Sequence, residues 1–160
     1  MRTVLGKLRR RSSREWREIS VAYGYLVLAW WCLSVRRQRL DRWLFQDAML
    51  ADIGNFPSPA DQRSITRSAR WINTAARYPR PWAKCLQRSL ALCLLLERRG
   101  FNTQLKIGVR KSDDELQAHA WVEYCGRVLN DRQDISQRFT LMNGRQEMPS
   151  AQQLSRAIRR

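Results

Sequence analysis

The spacing of apolar and polar residues changes once along this chain, from a helical period to an alternating one, and the change divides it in two. Residues 15–50 carry helical signals throughout, with no internal proline and with Ser12 or Ser13 as candidate caps. Gly54-Asn55-Phe56-Pro57-Ser58-Pro59 stops any helix. A second helix is predicted from Pro59-Ala60-Asp61, with Ile65, Ala69, Ile72 and Ala76 on one face. Tyr78-Pro79-Arg80-Pro81 ends it, since a residue before proline is driven out of the helical region. A third helix is predicted over Lys84 to Arg99, with Gly100 as its left-handed terminator and Arg98 and Arg99 at its negative end. Leu86, Leu90, Cys93, Leu94 and Leu96 cover more than one of its faces, which makes it the expected central, buried helix.

Beyond Gly100 the alternation predicts strands over 104–109, 117–124 and 127–131, a polar turn over Lys111 to Glu115, and a fourth strand over 138–142. Helices first and an antiparallel sheet afterwards define an α+β domain, with a central helix packed on a small sheet. The expected organisation is a basic, helical segment over 1–56, a core over 57–145 and a basic tail over 146–160.

With 160 residues, 44% hydrophobic and 28% charged, the chain suits one folded domain and is neither disordered nor an ordinary membrane protein. The charge alters that picture. Lys+Arg number 30 against 14 Asp+Glu, for a formal net charge of +16, so an anionic partner or surface is favoured. A nucleic acid is one such anion. Against it, the seven tryptophans are scattered, mostly amid apolar residues, and no nucleic-acid-binding module is recognisable. Residues 19–35 are uncharged and flanked by arginines. The strictly apolar part, Val21 to Leu33, is 13 residues, short of the roughly 20 a spanning helix needs. A largely buried helix is the expectation, with peripheral membrane contact as its other use.

Four cysteines, with no short paired spacing and no secretory leader, fit reduced thiols in the cytoplasm. Cys85, Cys93, His119 and Cys125 match no compact zinc spacing, so neither a metal nor a cofactor is expected. Thiol catalysis is the chemistry these residues do suggest. His119 is the only histidine, on the second predicted strand. Cys85 opens the third helix, where unpaired amides and the helix dipole favour a thiolate. Asp131 closes the third strand. Cysteine, histidine and aspartate are a nucleophile, its base and the group that orients the base. Cys93, among leucines, reads as core, Cys125 sits in a turn, and Asp134 is a rival to Asp131.

The hairpin after His119 admits two registers. A two-residue loop, Cys125-Gly126, pairs His119 with Arg132 and puts Asp131 on the opposite face. A three-residue loop, Tyr124-Cys125-Gly126, sets His119 directly against Asp131, Trp121 against Leu129 and Glu123 against Arg127. The second is expected, because it places Gly126 at the left-handed position such loops favour and pairs a charge with its opposite and an aromatic with an aliphatic.

Four stretches then carry a resemblance: Cys-Leu-x-Arg-Ser-Leu-x-Leu at 85–92, Leu-x-Ile-Gly-Val at 105–109, Ala-His-Ala-Trp-Val-Glu at 118–123 and the Gly126…Asp131 closure. Together they resemble the leader peptidase of lasso peptide biosynthesis, a branch of the transglutaminase-like, papain-related cysteine enzymes. The resemblance covers roughly residues 80–135. It implies a catalytic triad of Cys85, His119 and Asp131, no cofactor, and cleavage of the leader from a ribosomally made precursor peptide. A separate cyclase resembling asparagine synthetase would then close the ring. Residues 1–80 show helices and no credible strands, unlike the recognition module of some members, which implies a separately encoded leader-recognition protein. Trp82, Lys84 and Gln87 are the nearby side chains for an oxyanion donor, and nothing in the sequence selects one.

Overall fold

The computed structural model describes residues 12–34, 57–77, 83–112 and 115–142. Helix α1 (Ser13–Ser34) begins at a reciprocal cap: Glu15 N–H donates to Ser12 Oγ, and Ser12 N–H to Glu15 Oε2. Helix α2 (Pro59–Ala75) has the same device at Ser58 and Asp61, with proline at its first position. Helix α3 (Cys85–Arg98) ends as expected at Gly100, whose φ of +84° is the left-handed conformation. Phe101 N–H reaches Leu96 O and Gly100 N–H reaches Glu97 O, the paired bonds that close a helix on a glycine. The part of the first helical prediction beyond Ser34, the Gly54–Phe56 part of the first break, the 78–81 terminator and the tail lie outside the described residues.

Four strands form one antiparallel sheet in the order β3-β2-β1-β4. They are β1 (Gln104–Ser112), β2 (Glu115–Tyr124), β3 (Arg127–Val128) and β4 (Thr140–Leu141). Leu105, Ile107, Ala120 and Val122 turn one face toward α3 and join a core with Leu90, Leu92 and Leu96. Ala22, Leu26 and Ala29 of α1 and Ile65, Ala69 and Ile72 of α2 belong to the same core. The other face of the sheet carries a smaller cluster, Trp121, Val128 and Ile135, with Phe139 and Leu141 against it. A short helix, α4 (Ile135–Arg138), occupies part of the predicted fourth strand, which shrinks to Thr140–Leu141.

The 19–35 segment is buried along one stripe only. Ala22, Leu26, Ala29 and Cys32 face the core, whereas Val21, Tyr23, Val27, Leu28, Trp30 and Trp31 are exposed. Among the described residues no helix is long and apolar enough to cross a membrane.

The hairpin corrects the expected register. Glu123 pairs with Val128 and Tyr124 with Arg127, so the loop is the two-residue Cys125-Gly126. Both loop residues have positive φ, 47° and 72°, which gives the turn the twist of the flanking strands. Gly126 thus keeps its expected left-handed role, and Cys125 shares it.

Candidate active site

The three residues come from a helix start, a strand interior and a bend. Cys85 is the first residue of α3, after Lys84, whose N–H is capped by Gln87 Oε1 at 2.8 Å. That cap takes the Gln87 oxygen into the helix start. His119 lies in β2 opposite Gly108 of β1. Asp131 follows β3 in the bend before α4.

Continued in its observed register, β3 would set Asp131 beside Ala120, on the wrong side for His119. It does not continue. Leu129 N–H still donates to Val122 O at 2.9 Å, but Val122 N–H goes to the side-chain oxygen of Asn130, also at 2.9 Å. A side chain takes the place of the next backbone carbonyl and the ladder stops. The bend that follows brings Asp131 Oδ2 to 2.7 Å from His119 Nε2. The expected contact therefore forms by a different route from the expected register.

Backbone groups on one strand point alternately to its two neighbours, so Ala120 faces the same edge of β2 as Val122. With β3 ended, that edge is open to α3. Ser89 Oγ donates to Ala120 O at 2.9 Å and accepts from Asn130 Nδ2 at 2.9 Å. The Ala120 and Leu86 backbone amides interact with the Cys85 sulfur. Asn73 Nδ2 of α2 reaches Asn130 O at 3.5 Å.

The electrostatics follow from this placement. Burial pushes the Cys85 thiol up, but the hydrogen bond and charge of His119, with the two amides, outweigh it and hold the thiol below its ordinary 9.0. The hydrogen bond to Cys85 raises His119 above its ordinary 6.5; burial opposes this, and Asp131 adds to it. Nε2 belongs to Asp131, which leaves Nδ1 for the thiol. The pair is set toward thiolate and imidazolium. His119 and Asp131 remain 22% and 26% exposed, open enough for a substrate to reach. Phe139 and Trp121 flank the imidazole, with ring centroids 5.3 and 6.4 Å away.

The other sequence candidates fall elsewhere. Cys93 is buried in the core, and burial pushes its thiol up to about 12. Cys125 is exposed in the hairpin turn. Asp134 pairs with Arg132 Nε at 3.2 Å, one residue before α4. Trp82 lies outside the described residues. Among the described residues no group of three His, Cys, Asp or Glu could hold a metal ion. Ser89 and Asn130 are the site residues that sequence reasoning passed over, although a serine inside a leucine-rich helix was a visible signal.

A helix-borne cysteine facing a carboxylate-supported histidine on an antiparallel sheet is an arrangement suited to thiol chemistry. Residues 28–144, well over half of the chain, match the family model of the transglutaminase-like superfamily, and the chain belongs to that superfamily. Membership supports protease- or transglutaminase-type chemistry. Neither a curated protein nor a solved structure matches it.

Proposed function

We propose that this protein is a cysteine endopeptidase that removes the leader from a lasso peptide precursor, with Cys85, His119 and Asp131 as its catalytic residues. The observation that carries the chemistry is the position of His119, with one ring nitrogen 2.7 Å from Asp131 and the other toward Cys85. His119 Nδ1 takes the thiol proton, and the thiolate attacks the scissile carbonyl. The protonated imidazole then gives that proton to the departing amine as the carbon–nitrogen bond breaks. His119 next deprotonates a water, which cleaves the thioester and regenerates the thiol. Asp131 holds the tautomer and supports the imidazolium without taking the proton. The Leu86 amide of the first turn of α3 and the Ala120 amide of β2 lie beside the sulfur, near where charge would develop on the carbonyl oxygen.

The precursor as substrate rests on the motifs at 85–92, 105–109 and 118–123, which resemble the lasso leader peptidases. On this reading a separate recognition protein delivers the leader and an asparagine-synthetase-like cyclase takes the product. Peripheral contact with an anionic membrane would use the exposed side of α1. The deciding experiment mixes candidate precursor, recognition protein and this chain, and weighs the products. A leader ending in a free carboxylate supports the proposal. A leader joined to an added amine would assign transglutaminase-type transfer, and no product with any precursor would remove the lasso assignment.

A further inference from the structure

We propose that Asn130 and Ser89 act together as positioning residues, ending β3 so that the chain bends and Asp131 meets His119. The inference rests on the Cys85–His119–Asp131 reading and adds to it what holds the three in place. Asn130 Oδ1 takes the Val122 N–H that a further strand residue would have claimed, and its Nδ2 donates to Ser89 Oγ. Ser89, fully buried on α3 one turn beyond Cys85, passes the connection to Ala120 O. Three bonds of 2.9 Å thus join the helix bearing the nucleophile, the strand bearing the base and the bend bearing the carboxylate. Every polar side-chain atom of the pair has a partner: the Ser89 hydroxyl accepts one bond and donates one, and the Asn130 amide is held at both ends.

The chemistry requires this closeness. In the two-residue register an uninterrupted β3 would cover the Ala120 edge with its own backbone, shutting α3 out and directing Asp131 away from the imidazole. An asparagine can end a ladder by imitating a peptide group. A leucine or an alanine at 130 cannot. The helix-borne Ser89 then fixes which way that amide faces.

The test reads the thiol itself and needs no peptide substrate. Chloroacetamide alkylation of Cys85 is followed across pH in the full chain, by mass of the peptide that contains it, for parent, Ser89→Ala and Asn130→Ala. The charged groups near the pair are His119, Asp131, Lys84 and Arg88 at the start of α3, Arg110 and Glu123 against the rings that flank the imidazole, and Arg132 with Asp134 beyond the bend, and neither substitution removes any of them. Loosening Asp131 and the α3–β2 contact should move the acid limb of the profile upward. A shift of one pH unit lowers the rate by about tenfold at pH values well below the limb and leaves it within about twofold at pH 10, where the thiol is largely ionised in every variant. A purely structural role would lower the folded fraction, read by circular dichroism, without moving the profile of the folded protein.

Ser89→Ala deletes only a hydroxyl, so it decides the matter if Asn130→Ala does not fold. A depressed parent profile matched by Ser89→Ala overturns the inference while leaving the triad intact. A parent profile already at the ordinary thiol position would instead overturn the triad reading. A restored profile in Ser89→Thr, which keeps the hydroxyl, would add support, and a profile as shifted as that of Ser89→Ala would count against the hydroxyl as the cause.

Discussion

Replacing Gly108 with alanine should damage both stability and the reactivity of Cys85, although Gly108 touches neither substrate nor sulfur. Gly108 stands opposite His119 in the β1–β2 ladder and opposite Leu141 in the β1–β4 ladder. A β-carbon built there would lie 2.8 Å from Phe139 Cβ and 2.9 Å from Trp121 Cη2. Neither neighbour yields easily. The Phe139 atom is the root of its side chain and follows the backbone, and Trp121 is fully buried. These two rings are also the ones that flank the His119 imidazole.

Forcing a methyl group into a packed site costs about 1–3 kcal/mol. Removing a glycine from the unfolded chain returns about 0.4–1 kcal/mol where the backbone allows it. The balance is a loss of about 1–2 kcal/mol, which for a chain of this length lowers Tm by about 2–8 °C. Urea unfolding followed by circular dichroism measures the first effect. The rate of Cys85 alkylation at pH 6 measures the second, because a displaced Trp121 or Phe139 moves the imidazole that holds the thiolate. A variant as stable as the parent, with an unchanged alkylation rate, would refute the packing argument.

Cys85→Ala and His119→Ala should each abolish peptide cleavage while circular dichroism stays unchanged, because nucleophile and base act as one unit. Asp131→Asn should retain some turnover, seen as a lower kcat and not as complete loss. Because the thiol is lowered from 9.0 and the imidazole raised from 6.5, the charged pair is favoured beyond what the free groups would give. The rate of cleavage should rise through the Cys85 limb at a pH below 9.0 and fall through the His119 limb at a pH above 6.5; a monotonic rise past pH 9 would contradict this. Cys93, pushed up to about 12 and buried, should resist alkylation until the chain unfolds, and Cys93→Ser should cost about 1–3 kcal/mol without removing activity. Supplying the separate recognition protein should lower KM for full precursor and leave a short cleavage-site peptide unaffected. Salt near 0.1 M, where charges are screened beyond about 10 Å, should weaken that gain before the basal rate if an arginine surface forms the dock.

How far the chain could be read depended on the range of the interaction involved. Helix ends are local: Gly100, the serine caps and the proline at 59 act within a few residues, and α2 and α3 lie within a residue or two of where the spacing put them. Burial is local too, once a period is known. Leu90, Cys93 and Leu96 are core, and the solitary histidine and the helix-opening cysteine stand on the predicted elements. Register is not local. Moving the hairpin by one residue reverses every side chain on β3, and alternation alone does not choose between the two loops. Charge pairing and the preference of glycine for the left-handed position favour the three-residue loop, yet Cys125 accepts a positive φ and the shorter loop forms.

The contact survives that reversal because it does not depend on strand pairing at all. Asp131 would have been tied to the ladder only if β3 had run on, and Asn130 sees that it does not. The residue immediately before the carboxylate, an asparagine that no spacing marks, is what turns an unfavourable register into a productive one. Its partner, Ser89, lies 41 positions away, beyond the reach of any periodicity. A pattern of apolar residues can say which elements will pack, but a single amide that imitates the backbone decides where a strand stops. In this fold the geometry around Cys85 is set at such a stop, so the candidate thiol, imidazole and carboxylate were readable in the sequence while the means of bringing them together was not.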